Sequence, residues 1–384
     1  MRGREFDCAV VGLGALGSAA AYWIARAGLS VIAFEQFEFG HARGASHDHS
    51  RIIRRSYHTP AYVRLAGEAY DAWHTVEDES GESLVLRTGG LDVGPLRGAA
   101  ARGMEDHAAS MDDAGVVYER LDAAEIMRRW PAWQLPDSVG GLFQPDAGIV
   151  AAERAGDALR RIAAERDAVL RAGARVNALW DRGGEIEVVV DGEALRCGSA
   201  VVCADAWTND VLSSLDVSLP LRSTQEQVVY LDSPRQDMFE LGRFPIWIWM
   251  DEPSFYGFPV FGDAGVKVAQ DVGGREVTPD TRSFATDAAA LARVEEFVDR
   301  YLPAAAGRPR TVKSCIYTLT PDRDFVVDRV PGHARIVVGL GAAHGFKFAA
   351  VLGRIMAELV TQGSSTSDIA AFRFDRTPGL EPIA

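Results

Sequence analysis

The sequence predicts an α/β fold, a Rossmann-type dinucleotide-binding domain interleaved with a mixed-sheet substrate domain. Three observations carry this expectation. The first 35 residues run strand, glycine turn, helix, strand and acid. Strand-like runs return far along the chain, at Glu185–Val190, Ser199–Cys203 and Ile336–Gly341. No repeat, low-complexity block or flexible linker separates the parts, so they are interleaved rather than beaded.

The opening unit is the most specific. Cys8 to Val11 is a short apolar strand leading into Gly12-Leu13-Gly14-Ala15-Leu16-Gly17. Ser18 to Ala27 follows as an alanine-rich helix, and Gly28 stops it. Val31 to Phe34 resumes as a strand closed by Glu35. Gly12, Gly14 and Gly17 serve the tight turn, close approach to a pyrophosphate and helix-against-strand packing. The helix N-terminus offers N–H groups and a positive dipole end to phosphates, and Glu35 is placed for ribose hydroxyls.

Cys8 to Ala25 carries no charge, which raises the alternatives of a membrane span or, after Arg2 and Arg4, a secretory signal. Three glycines at turn spacing argue against one spanning helix. Glu5 and Asp7 precede the run, and cleavage would destroy the fingerprint it encodes. A soluble, uncleaved chain is expected.

Composition agrees. With 384 residues and 47% hydrophobic content, the chain can bury roughly three quarters of its unfolded surface and form two domains. A net charge of −14 opposes binding to nucleic acid or anionic lipid. Four scattered cysteines form neither a disulfide framework nor a zinc pattern, and a cytoplasmic location is expected.

Further along, Ala151 to Ala174 reads as one long Ala/Arg/Glu helix. Ile246 to Trp249 and Gly257 to Gln270 alternate as strands do, suggesting a separate sheet. Ile336 to Gly341 is a buried strand running into glycine, with a helix from about Phe346 to Val360. Gly341 to Phe348 therefore lies at a strand-to-helix junction, where open α/β sheets bind ligands.

Charge gathers between His41 and His58, which span Arg43, Arg51, Arg54, Arg55 and two more histidines, His47 and His49. Following the acid of the second strand, this loop is placed for an anion rather than as a merely solvated face. His47-Asp48-His49 hints at a metal, but no further ligand set follows at suitable spacing, so none is expected.

Gly12 to Gly17, Ser50-Arg51-Ile52-Ile53-Arg54, Tyr256-Gly257-Phe258-Pro259, Cys315-Ile316-Tyr317, Phe325-Val326-Val327-Asp328 and His344-Gly345-Phe346-Lys347-Phe348 occur in one order. In that order they resemble the monomeric sarcosine oxidase family of amine-oxidizing flavoproteins, which includes N-methyltryptophan oxidase and pipecolate oxidase. The resemblance covers nearly the whole chain. It implies an FAD-binding domain formed by residues 1–89, 148–218 and 314–384, and a substrate domain formed by 90–147 and 219–313.

The resemblance also implies roles. Cys315 matches the cysteine bonded through sulfur to the 8α-carbon of FAD, whereas Cys8, Cys197 and Cys203 read as small buried hydrophobes. Lys267 matches the lysine that activates oxygen over the flavin, a cation suited to stabilising a developing anion. Arg54 and Lys347 match the pair holding the substrate carboxylate. His47 and Arg51 match residues close to the flavin ring, Tyr256 and Tyr317 line the substrate pocket, and Ser50 and Gly345 belong to flavin-binding segments. Three positions depart from the pattern: Asp271 replaces an active-site histidine, and Ala343 and Asp205 stand where glycine is usual. Asp271 puts the preferred amine in question, because an unpaired acid there disfavours small anionic substrates.

The reading is a monomeric FAD-dependent oxidase of a secondary amino acid, with an amine and O₂ as its small-molecule partners and an imine and hydrogen peroxide as products. An N-methyl amino acid such as sarcosine leads. The alternative is a cyclic imino acid such as pipecolate or proline, or a biosynthetic amine. An NAD-dependent dehydrogenase would share the opening fingerprint but leaves Cys315, Lys267 and Lys347 without a reason. A non-catalytic flavin-binding protein need not keep Arg54 and Lys347.

Overall fold

In the computed structural model, which describes residues 5–263 and 265–376, the first apolar run is the strand Phe6–Val11. It lies in an eight-stranded sheet whose parallel core is ordered Val31–Phe34, Phe6–Val11, Glu193–Val202 and His333–Leu340. Strands buried on both faces read as unbroken apolar runs, and Val31–Phe34 is buried at every position. Glu193–Val202 is long enough to serve two neighbours. Its first half pairs antiparallel with Ile186–Val190 and its second half parallel with His333–Leu340.

The helix Ala15–Arg26 begins three residues earlier than its alanine pattern suggests, with Gly14 at its N-cap. Almost all of it is buried, and the helix Ala349–Thr361 lies against it. The predicted helix over Ala151–Ala174 is shorter: it spans Ala152–Ala164, and Val169–Arg171 is a strand paired with Val31–Phe34. Asp167 turns the chain with φ 62°, and three β-compatible residues then gain an edge position that composition does not reveal. Gly257–Gln270 is likewise two strands, Phe255–Phe258 and Val266–Gln270, rather than one. Arg2 and Arg4 lie outside the described residues. Among the described residues no helix is long and apolar enough to cross a membrane.

A second, nine-stranded sheet contains Gly90–Pro95, Ile246–Trp249, Phe255–Phe258, Val266–Gln270, Arg222–Asp232 and Arg308–Leu319. It is mixed: Ile246–Trp249 runs parallel to Gly90–Pro95 and antiparallel to Phe255–Phe258. One face packs on a cluster that includes Trp247, Trp249 and Phe297, the last from the helix Ala288–Tyr301. Alternation sends every second side chain to the other face. Lys313, Cys315 and Tyr317 therefore share a cavity with Ser254, Tyr256 and Phe258. A three-stranded sheet of Ser50–Ile53, Gly148–Ala151 and Val85–Arg87 carries the basic loop's end.

The turn after Phe6–Val11 and the first turn of the helix Ala15–Arg26 each hold a glycine that tolerates no side chain. Gly12 has φ +89°, and a Cβ on it would lie 2.4 Å from the Cys203 carbonyl oxygen. A Cβ on Gly17 would lie 1.8 Å from the Gly12 carbonyl oxygen, so backbone would have to move. Gly28 also has positive φ, but nothing lies within 4 Å. Gly17→Ala is therefore expected to destabilise by about 3 kcal/mol or more, and Gly28→Ala by only about 1 kcal/mol. Urea unfolding of the two variants checks this, and equal losses would show that the turn relaxes around a methyl group.

Candidate active site

The parallel strands end at Val11, Phe34, Val202 and Leu340, and Gly12, Glu35, Cys203 and Gly341 follow them at one mouth. This is the crevice outside the carboxyl ends of the strands where open α/β sheets bind ligands. A cavity of about 1170 Å³ opens there and continues to the face of the mixed sheet that carries Cys315. That is more than a drug-sized ligand needs, so a large cofactor and a small substrate fit together.

At the strand-end mouth, Glu35 is buried and its oxygens accept hydrogen bonds from the Leu13 amide at 3.0 Å and the Phe37 amide at 3.2 Å. Burial pushes its carboxyl up, and the His41 ring at 3.3 Å with the Leu13 amide more than offsets this, so Glu35 stays ionised. Gly12 and Gly14 form the turn, and Gly17 packs the first turn of the helix against the Gly12 backbone. Ser46, which the sequence reading missed, accepts from the Ala15 amide at 2.9 Å and places the basic loop over the helix N-terminus.

Where the loop meets the mixed sheet, His47, Ser50, Arg51, Lys267 and Cys315 come together. The Arg51 guanidinium donates to the carbonyls of Ser50 and Ala45, both at 2.9 Å, and to that of His47. Lys267 is buried, donates to the Ser50 carbonyl at 3.1 Å and hydroxyl at 3.2 Å, and lies 4.5 Å from the Phe258 ring centroid. Burial pushes its ammonium down to about 8. The His47 ring is pushed down to about 4 by burial and by Arg51, so it is neutral near pH 7. Burial pushes the Cys315 thiol up, against the opposing pull of Arg51 and Arg282.

Arg54, Lys347, Tyr256, Tyr317 and Asp271 line the remaining part of the cavity. Arg54 pairs with Asp92, a buried acid that also accepts from Ser56 and lies 3.4 Å from His107. Asp92 was missed, although an acid inside the apolar run Leu91-Asp92-Val93 is a signal that could have found it. Arg54 and Lys347 both approach the Tyr57 ring, at 5.2 and 5.8 Å. Lys347 makes no ion pair among the described residues. Burial and then the neighbouring Arg54 push it down to about 7. Tyr256 and Tyr317 place their hydroxyls 3.3 Å apart. Asp271 is paired: its carboxylate accepts from Arg323 at 3.1 Å. Asp205 has φ 47°, and burial pushes it up to about 6.

Residues 7–359 match the family model described as FAD dependent oxidoreductase. The chain belongs to that family. The oxidoreductase is 29% identical to monomeric sarcosine oxidase of a Bacillus species, with 97% of each chain covered. It is 30% identical to human peroxisomal sarcosine oxidase, over 98% of this chain and 97% of that one. The solved open form of NikD, described as an unusual amino acid oxidase essential for nikkomycin biosynthesis, superimposes with a TM-score of 0.86. It is 26% identical over 97% of this chain and 98% of that one.

The residues present fit FAD. Gly12 and Gly14 of the glycine turn line the cavity with backbone, Glu35 stands at the second strand's end, and the cavity runs on to Cys315. In the oxidoreductase, Lys347 also sets a pH dependence. Its folded value lies below the ordinary lysine range, so its charge is present below pH 7 and lost as pH rises through about 7. Acetate, read by perturbation of the flavin spectrum, is expected to bind most tightly below pH 7 and to weaken by roughly 10-fold or more above it. Lys347→Gln should bind weakly at all pH values, and a pH dependence unchanged in that variant would assign it to another group.

Proposed function

We propose that this enzyme oxidises a secondary amino acid, with an N-methyl amino acid of the sarcosine type as the leading substrate. The observation that carries this is the pair of cations, Arg54 and Lys347, brought from distant segments to one end of a cavity that also holds Lys267 and Cys315. The similarity to sarcosine oxidases supports the same substrate class. When bound, FAD supplies the two-electron oxidation of the amine to an imine, which water hydrolyses, and O₂ is reduced to hydrogen peroxide.

The chain's own residues bind, orient and shield. Arg54, fixed from behind by Asp92, offers a forked donor to the substrate carboxylate, and Lys347 adds a point charge. Tyr256 and Tyr317 wall the pocket and present two hydroxyls to a polar substrate atom. Arg51 and His47 stand at the flavin-binding part of the loop, with Ser50, and Gly345 closes the opposite wall with its neighbours. Lys267 supplies a fixed cation for the charge that develops on oxygen. Cys315 is the sulfur through which FAD would be held covalently. In this reading residues 1–89, 148–218 and 314–384 serve the cofactor, 90–147 and 219–313 serve the substrate, and the enzyme is a cytoplasmic monomer.

A panel of secondary amines scored by peroxide release tests the function, with sarcosine expected among the substrates and no turnover of any amine counting against it. Arg54→Ala should weaken carboxylate substrates by roughly 10- to 100-fold and leave an amine without a carboxylate nearly unaffected. Equal losses would mean that Arg54 holds the fold or the flavin. Acid precipitation should leave the yellow colour in the wild-type pellet and release it in Cys315→Ala. Free FAD in the wild-type supernatant would refute the covalent bond.

A further inference from the structure

Asp48 is a buried acid that the chemistry above does not use. It sits in the basic loop with φ 88°, a left-handed backbone that few non-glycine residues adopt. Such a residue persists where its surroundings hold it there. Its side chain is only 3% exposed, and Oδ2 lies 2.6 Å from the Lys267 ammonium nitrogen. Oδ1 accepts from the Tyr230 hydroxyl at 2.7 Å and from Lys313 at 2.9 Å. Lys313 continues to Asp263 at 2.6 Å, and the His49 ring lies 3.2 Å from Asp263 and 2.9 Å from the exposed Glu153. Asp48, His49 and Asp263 approach closely enough to suggest a metal site, but ammonium groups already hold the Asp48 carboxylate.

The neighbours of Lys267 decide what Asp48 does. Ser50–Ile53 presents the Ser50 oxygens and Arg51. Arg222–Asp232 presents the Tyr230 ring, and Phe255–Phe258 presents the Phe258 ring. Arg308–Leu319 contributes Cys315, and through Asp48 it contributes Lys313. The loop contributes Asp48 and, beyond it, the neutral His47. Burial and Arg51 work against a charged Lys267, and Asp48 is the carboxylate in direct contact that works for it.

We propose that Asp48 is the positioning residue for oxygen reduction: its carboxylate pins the Lys267 ammonium against the cavity and holds its positive charge there. The proposal rests on the reading of Lys267 as the cation that serves oxygen. Reduction of O₂ to hydrogen peroxide would take two electrons and one proton from the reduced cofactor and the second proton from water, and the ammonium stabilises the negative charge arriving on oxygen. Without the carboxylate, the lysine would carry its charge over a narrower range on the acid side.

Asp48→Asn keeps the side chain's size and a residue type that tolerates the left-handed backbone, so it removes the charge with little demand on the fold. The reduced holoenzyme is mixed with O₂ in stopped flow across pH, and the visible spectrum of the resting enzyme is titrated in parallel. In the wild type, reoxidation should fall as pH rises through about 8, where Lys267 loses its charge. In Asp48→Asn, both the kinetic midpoint and the spectral component that Lys267→Met abolishes should move down by about 1–2 pH units. Reoxidation at pH 7.5 would then be roughly tenfold slower and would recover on acidification. Lys267→Arg, charged throughout, should remove the pH dependence in either background. A uniform rate loss in Asp48→Asn with an unmoved midpoint would overturn the role of Asp48. Lys267→Met should slow reoxidation by roughly 10²-fold or more, and leaving it intact would overturn the oxygen reading and this proposal with it.

Discussion

The site is governed by the withdrawal from water of four cations, the buried Lys267 and the half-buried Arg51, Arg54 and Lys347, in one cavity. Removing a charge from water costs several kcal/mol per ion after relaxation, and each must be compensated or give up its proton. Arginine cannot give up its proton, and both arginines are compensated, Arg51 by three main-chain carbonyls and Arg54 by Asp92. Lysine can. Lys267 has Asp48, whereas Lys347 has a tyrosine ring at 5.8 Å and no ion pair among the described residues. On the function proposed above, the direct counter-charge that Lys347 lacks among the described residues is what a substrate carboxylate would bring.

Two differently built sheets make this arrangement possible. The parallel sheet brings loops together at the carboxyl ends of its strands, so its ligands meet backbone and glycine. The mixed sheet presents side chains by alternation, so Lys313, Cys315 and Tyr317 arrive on one face at fixed spacing. Pairing across that sheet sets the remaining geometry: Tyr230 and Phe258 lie opposite Lys267 on its two neighbouring strands. Their rings surround the lysine with low-dielectric walls, which lowers its value and makes its acid partner matter more.

What the sequence revealed follows the range of the interactions involved. The glycine turn and the acid that closes the second strand are local patterns, and the fold places them as read. Asp92 and Ser46 act through partners 38 and 31 residues away, and no spacing rule connects them. Asp271 gave no sign of its partner in the sequence, because Arg323 lies 52 residues on. The helix over Ala151–Ala174 was overextended for a related reason: alanine, arginine and glutamate favour helix everywhere, but Val169–Arg171 gains a strand partner from the start of the chain.

The acidic total would conflict with the anionic substrate proposed above, and distance resolves it. The net charge of −14 is spread over a large surface, and ion pairs such as Arg120–Glu105 and Arg128–Glu125 neutralise part of it locally. Exposed charges lose most of their influence beyond roughly 8 Å at physiological salt, while buried charges are screened far less. The field a carboxylate meets inside the cavity is therefore set by Arg54 and Lys347, with Asp92 offsetting the first and Tyr57 beneath both. Remote surface acids can slow the approach of an anion at low salt. They do not reverse the sign of the potential at the place where it binds.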